Sequence, residues 1–407
     1  MSSRRRVSAI VGLFVVGLGV GAFGPTDERA GDGTALEVGA PAPGAPAAVS
    51  FAEASGGLAA AAQVAAQVAV QTVALVVPPP PTNLYAGTRG PALAPAVADV
   101  PVRVYVPNSA AGTVSVIDPA TFAVIDRIPV GKVPHHITPS WDLSRLFVNN
   151  TESNSLTVFE PRSGKPMETI PITDPYNLYF TPDGTKAIVV AERFQRLDVY
   201  DPSSWQQIGS VPIPWAGVDH GDFTADGRYF LASTEFSGQL VKVDTQSLEV
   251  VSHLAVGGLP VDVKMSPDGA VAYVSNQGRH GVSIVDPVSM AEIGFLKTGK
   301  GAHGLNVSRD TTAMYVSNRL DGSISVIDLA TRQLRATWAV GGSPDMLQVS
   351  ADGSQLWVSN RYHGSVSVID TASGAVLHTI PTGSGAHGLT LFPQPGTHSI
   401  GHNGVYR

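Results

Sequence analysis

Cysteine is absent from all 407 residues. Its absence excludes disulfides, covalent c-type haem, thiolate metal sites and a lipid-modified N-terminal cysteine. Charge is sparse as well. Asp, Glu, Lys and Arg make up 14% of the chain and leave a formal net charge of −7, so no basic surface invites nucleic acid and none is expected as a partner. Several common catalytic signatures are also missing: there is no P-loop, no His-Glu-x-x-His helix and no Gly-x-Ser-x-Gly elbow in a strand–turn–helix setting. Glycine (43) and proline (31) are abundant instead, which suits many tight turns between short buried strands.

The chain opens with Arg4, Arg5 and Arg6 ahead of an uncharged apolar stretch from Val7 to Phe23. A basic start, an apolar core and small residues near position 24 make residues 1–24 an export signal, or an N-terminal anchor if left uncut. Either places the body outside the cytoplasm: secreted or extracytoplasmic, with membrane attachment through an uncleaved segment as the alternative. Residues 25–100 are an Ala/Pro/Gly-rich low-complexity linker containing four consecutive prolines, Pro78 to Pro81. Within it, Gln63, Gln67 and Gln71 at steps of four predict a helix over 58–77.

From about residue 101 one pattern repeats. An acidic residue closes a Val-Ser-Val-Ile-Asp-like phrase at Asp118, Glu160, Asp201, Asp244, Asp286, Asp328 and Asp370, in steps of 42, 41, 43, 42, 42 and 42 residues. A period near 40 holding four short alternating segments per unit is the signature of a propeller blade. Residues 104–130 supply only the last three strands of a unit, and residues 387–392 only a first strand. Joined, they complete one blade. The expected fold is therefore an all-β, seven-bladed propeller over 101–393, its last blade closed by N-terminal strands plus the C-terminal strand, followed by a tail at 394–407.

Tyr273-Val274-Ser275-Asn276, Tyr315-Val316-Ser317-Asn318 and Trp357-Val358-Ser359-Asn360 resemble the YVTN repeat. That family of extracytoplasmic propellers is similar in fold to lactonase-type propellers and to the haem-binding propeller of nitrite reductase. The resemblance implies architecture and little chemistry, because propellers host unrelated functions on one scaffold.

Function is read from what the blades do not share. Alignment on the Asp-Gly turns exposes two adjacent slots at the start of each innermost strand. The first holds His135, Tyr176, Asp219, Val261, His303, Asp345 and His387. The second holds His136, Asn177, His220, Asp262, Gly304, Met346 and Gly388. Five of the chain's 11 histidines fall in these 14 positions, where chance would put fewer than one. Innermost strands surround the central channel, so His135, His136, Asp219, His220, His303 and His387 are candidate ligands for a divalent metal, zinc or copper, at one mouth. The apolar phase of the inner strands favours the second slot, and so His136 and His220, as facing the channel. Asn177, Asp262, Asp345, Arg319 and Arg361 are candidate ligand-binding residues, the two arginines suiting a carboxylate or phosphate. Glu192 and Glu235, with His136 and His220, are the catalytic candidates if the protein is an enzyme.

A competing reading makes the same histidines packing and hydrogen-bonding residues of neighbouring blades. His253, His280, His363, His378, His398 and His402 lie outside the slots and are expected at the surface. Three functions follow: a binder of a small molecule or metal ion at the channel mouth, a metal-assisted hydrolase or lyase of lactonase type, and a cell-surface module whose propeller face meets a protein partner.

Overall fold

Seven four-stranded antiparallel sheets follow one another along the chain in a computed structural model that describes residues 83–407. The N-terminal signal or anchor and the helix expected over 58–77 lie outside the described residues. Among the described residues no helix is long and apolar enough to cross a membrane. The unit beginning at Pro260 illustrates each blade: strands Pro260–Met265, Ala272–Asn276, Gly281–Asp286 and Ala291–Lys297 pair in order. Burial falls from the first strand, wholly buried, to the last, half in solvent, as expected for sheets arranged radially around an axis. Neighbouring blades pack their apolar faces together, with Val263, Met265, Val274, Leu305 and Val316 in one continuous cluster.

Closure occurs between distant parts of the chain. Strand Thr390–Phe392 pairs with Arg103–Asn108 in the register Arg103–Phe392, Val104–Leu391 and Tyr105–Thr390, completing the blade begun by the N-terminal strands. The expected first strand from His387 is shorter than read, because pairing is interrupted just after the bridge between Asn108 and Ala386.

The cause of that interruption recurs around the ring. In five blades the innermost strand pairs up to the residue before the two slots and resumes after them with one extra residue, as between Pro260–Asn276 and Val263–Val274. This is a β-bulge, which re-aims the side chains it carries. The serine of the repeated Tyr-Val-Ser-Asn phrase supports it. Ser275 Oγ accepts the Asp262 N–H at 2.8 Å and donates to the His303 carbonyl of the next blade, and Ser317 makes the same pair of contacts to Gly304 and Asp345. A serine thus supports the bulge in four blades, while the blade of His135 and His136 is bulged with Asn149 in that place.

Residues 394–407 fold inward. They form a hairpin, joined by Thr397 N–H to the Arg407 carbonyl (2.8 Å) and Ile400 N–H to the Val405 carbonyl (2.9 Å), that is largely buried against the inner strands. Phe180 N–H donates to the Ile400 carbonyl and His402 N–H to the Leu178 carbonyl. Arg407 grips buried Asp222 with Nη2 at 2.9 and 3.0 Å and lies 4.3 Å over the Tyr85 ring. Residues 83–100 belong to the same closure. Leu84 N–H donates to the Pro267 carbonyl, Leu93 bridges Gly396, and Val97 and Val100 pack with Tyr406. Both segments meet the turns that follow the inner strands, so the channel is filled from that side and the slots lie at the other end.

Candidate metal centre

The bulges bring the slots of unlike blades together. His136 and His220 are fully buried, with Nε2 atoms 3.2 Å apart. Two nitrogens on one tetrahedral zinc ion lie about 3.3 Å apart, given Zn–N distances of about 2.0–2.1 Å. A third imidazole completes the group. His402, at the tip of the C-terminal hairpin, lies with its ring centre 4.7 Å from that of His220 and 5.2 Å from that of His136. One ligand atom from each of the three lies within 4.8 Å of the others. His402 was expected at the surface; the structure buries it, because the hairpin that carries it turns into the channel. Of the other histidines outside the slots, His253, His363 and His378 are exposed, while His280 and His398 are half-buried.

The surroundings orient these rings. His136 Nδ1 donates to Asn403 Oδ1 at 2.7 Å, which leaves Nε2 as the lone-pair nitrogen facing His220. His402 Nδ1 is 2.8 Å from the Asn177 amide and its Nε2 3.3 Å from that of Asn403; a neutral ring accepts from only one of them. Burial holds His136 down to about 4; burial with the neighbouring imidazoles holds His220, and burial with the Lys264 charge holds His402, well below the usual value, so all three are neutral near pH 7, as ligands must be. Asp219 Oδ1 lies 3.5 Å from His220 Nε2 and has no hydrogen-bond partner. Burial, then the charges of Glu235 and Glu192, push its carboxyl well up. Asp262 is tied into the strands by the Val263 and Leu305 N–H groups and reaches His402 Nε2 at 3.9 Å. Buried Lys264 Nζ approaches Asp262 at 3.6 Å without a hydrogen-bond partner.

The remaining slot histidines join a second group. Arg319 ion-pairs with Asp345 and contacts His303 Nε2, while His303 Nδ1 lies 3.4 Å from Asp345. His387 Nδ1 donates to the His135 carbonyl at 3.0 Å, which aims its Nε2 lone pair at Asp345 Oδ2, 3.2 Å away. Two acceptors at that distance need a proton or a cation between them. Burial lowers His303 to about 3 and His387 well below the ordinary range. His135 binds Thr151 Oγ1 at 2.7 Å and abuts Tyr176 and His387.

At the rim, Glu192 and Glu235 are half-buried. Burial followed by the charge of Glu235 pushes Glu192 up to about 7. Arg361 has no side-chain hydrogen bond or ion pair among the described residues, unlike Arg319. Counting blades by their innermost strands from Pro134–Pro139, acidic groups thus gather on the second and third blades, an unpaired cation stands on the sixth, and imidazoles lie between.

These features define a seven-bladed propeller with a polar, imidazole-lined hub, closed at one end by its own C-terminus. The model of the YNCE-like beta-propeller family matches residues 60–395, and the chain belongs to that family. No curated protein sequence matches it. Among solved structures it is similar to a functionally unknown protein from Desulfotomaculum acetoxidans (16% identity, 71% of this chain and 98% of that one, TM-score 0.62). It is also similar to a putative 6-phosphogluconolactonase from Bacteroides uniformis (15%, 72% and 99%, TM-score 0.60). A third similar structure is the dihydro-heme d1 dehydrogenase NirN in complex with DHE (16%, 70% and 74%, TM-score 0.56). At these identities the likeness is one of fold.

Proposed function

We propose that this chain is an exported binding propeller whose hub holds one divalent transition metal, zinc or copper, through His136, His220 and His402. The observation that carries this reading is the convergence of three buried imidazoles from two blades and the C-terminal hairpin. Three neutral nitrogens without sulfur suit zinc or copper(II), and a three-histidine set leaves a coordination position for a small molecule. Asp219, whose Oδ1 has no donor, is the nearest carboxylate to serve as a further ligand. A bound ion would supply Lewis acidity to a small ligand entering from the mouth. Export is supported by the basic and apolar start of the chain. The hydrolase reading and the surface-docking reading rest on sequence expectations alone.

Metal analysis of the purified protein, free of any histidine tag, tests the site. About one zinc or copper per chain is expected, lost on replacing His136 and His220 together by alanine. A folded protein that takes up neither ion, or a double variant that keeps full metal content, overturns it.

A further inference from the structure

The rim above the imidazoles has a polarity and an apolar edge that the metal site does not use. Glu192 and Glu235 come from the second and third blades and Arg361 from the sixth, which stand across the ring from one another. All three are half-buried, and none has a side-chain hydrogen bond or ion pair among the described residues. Other charges nearby are committed: Arg193 to Asp174 at 2.6 Å, and Arg319 to Asp345. Below the acidic side, buried Asp219 presents an Oδ1 with no partner. The loops that carry these charges, and the matching loop of the fifth blade, also raise large apolar side chains into solvent. Phe194, Phe236, Leu320 and Tyr362 are 51, 64, 60 and 67% exposed, all in the loop between the second and third strands of their blades. Scattered apolar residues need no explanation, but four at one structural position around one opening form a rim.

We infer that the mouth takes a small zwitterion with an apolar body, an α-amino acid or short peptide, its ammonium on Glu192 and Glu235 and its carboxylate on Arg361. Half-buried charges of opposite sign that do not neutralise each other are completed by a ligand bearing both complementary charges. The four apolar side chains then cover its hydrocarbon part. This deepens the hub reading by naming what enters the mouth, and it does not require that the imidazoles hold an ion.

Calorimetric titration of the intact protein with phenylalanine, phenethylamine and 3-phenylpropionate tests it, on chelator-treated and on zinc-loaded samples. Phenylalanine is expected to bind, and each analogue lacking one charge to bind about tenfold more weakly or worse. Arg361→Gln should weaken phenylalanine and 3-phenylpropionate but not phenethylamine. Glu192→Gln combined with Glu235→Gln should weaken phenylalanine and phenethylamine but not 3-phenylpropionate. Equal binding of all three compounds, or no phenylalanine binding at millimolar concentration in protein with an unchanged circular-dichroism spectrum, overturns the inference. Phenylalanine binding by protein that takes up no metal upholds it while removing the metal reading; metal uptake without phenylalanine binding does the reverse.

Discussion

Gly388 shows how tightly single positions are set at the hub. A Cβ there would meet His136 Nδ1 at 2.1 Å and Asn403 Oδ1 at 2.5 Å, so Gly388→Ala must break the bond that fixes the His136 ring. We expect this variant to melt at lower temperature and to bind metal more weakly, measured by calorimetry and competitive titration. Asn403→Ala keeps the space but removes the acceptor; outer partners of this kind are worth about 10–100-fold in metal affinity. The histidine environments also fix a pH dependence. With His136 held down to about 4, protons compete for its Nε2 only in acid. Affinity for an ion held by the three imidazoles alone should therefore stay level from neutral pH to about 5 and fall below that, whereas an exposed imidazole would begin to lose metal near its ordinary value of about 6.5. Affinity measured across that range checks the sign.

At the scale of elements, the C-terminal hairpin is the least expected feature and the most consequential. It supplies His402 and Asn403 to the hub and Arg407 to Asp222. Removing Arg407 leaves buried Asp222 with the Phe223 and Met265 N–H groups but no counter-charge, and breaking such pairs costs about 3–5 kcal/mol. Arg407→Met should lower the free energy of unfolding by roughly that amount in urea titrations. The inner strands of the blades were legible because apolar alternation and Asp-Gly turns mark them, and the slots were legible because they alone vary within a regular frame. His402 was not, since it lies beyond the last repeat and no blade alignment reaches it. One local signal was present: Gly401 and Gly404 flank His402 and Asn403 and adopt φ of +100° and +88°. Glycines placed so mark a tight tip, but nothing local says that the tip enters the channel. The assignment of Arg319 to Asp345 was equally hidden, because the partners lie 26 residues apart on different blades.

For the whole molecule, an ion held as proposed would tie the ring to the C-terminal hairpin. His136 and His220 belong to two blades and His402 to the segment that follows the closing strand, so an ion held by all three binds only the closed, plugged form. Binding to the folded state alone stabilises it by about 2.7 kcal/mol at a free metal concentration 100 times the Kd. A rise in melting temperature with zinc or copper is therefore expected for the natural sequence and its absence for His402→Ala, read in one thermal-shift series. An equal shift in both proteins would mean that the ion binds elsewhere.

By itself the sequence determined the ring: a period near 42 residues with four strands per unit leaves one way to pair every edge, and the incomplete first and last units demand each other. In four blades it also marked which positions face the hub, because a repeated serine supports the same bulge there; the blade of His136 is bulged with Asn149 in that place. Only the tertiary structure decided which side chains meet at the hub. Slots that are equivalent by repeat become unequal when one hairpin fills the channel and brings His402 against His136 and His220, leaving His303 and His387 to an arginine–aspartate pair. Contacts between residues 182 to 266 apart depend on where the chain end packs, and that packing follows from burial of the whole hairpin rather than from any local pattern.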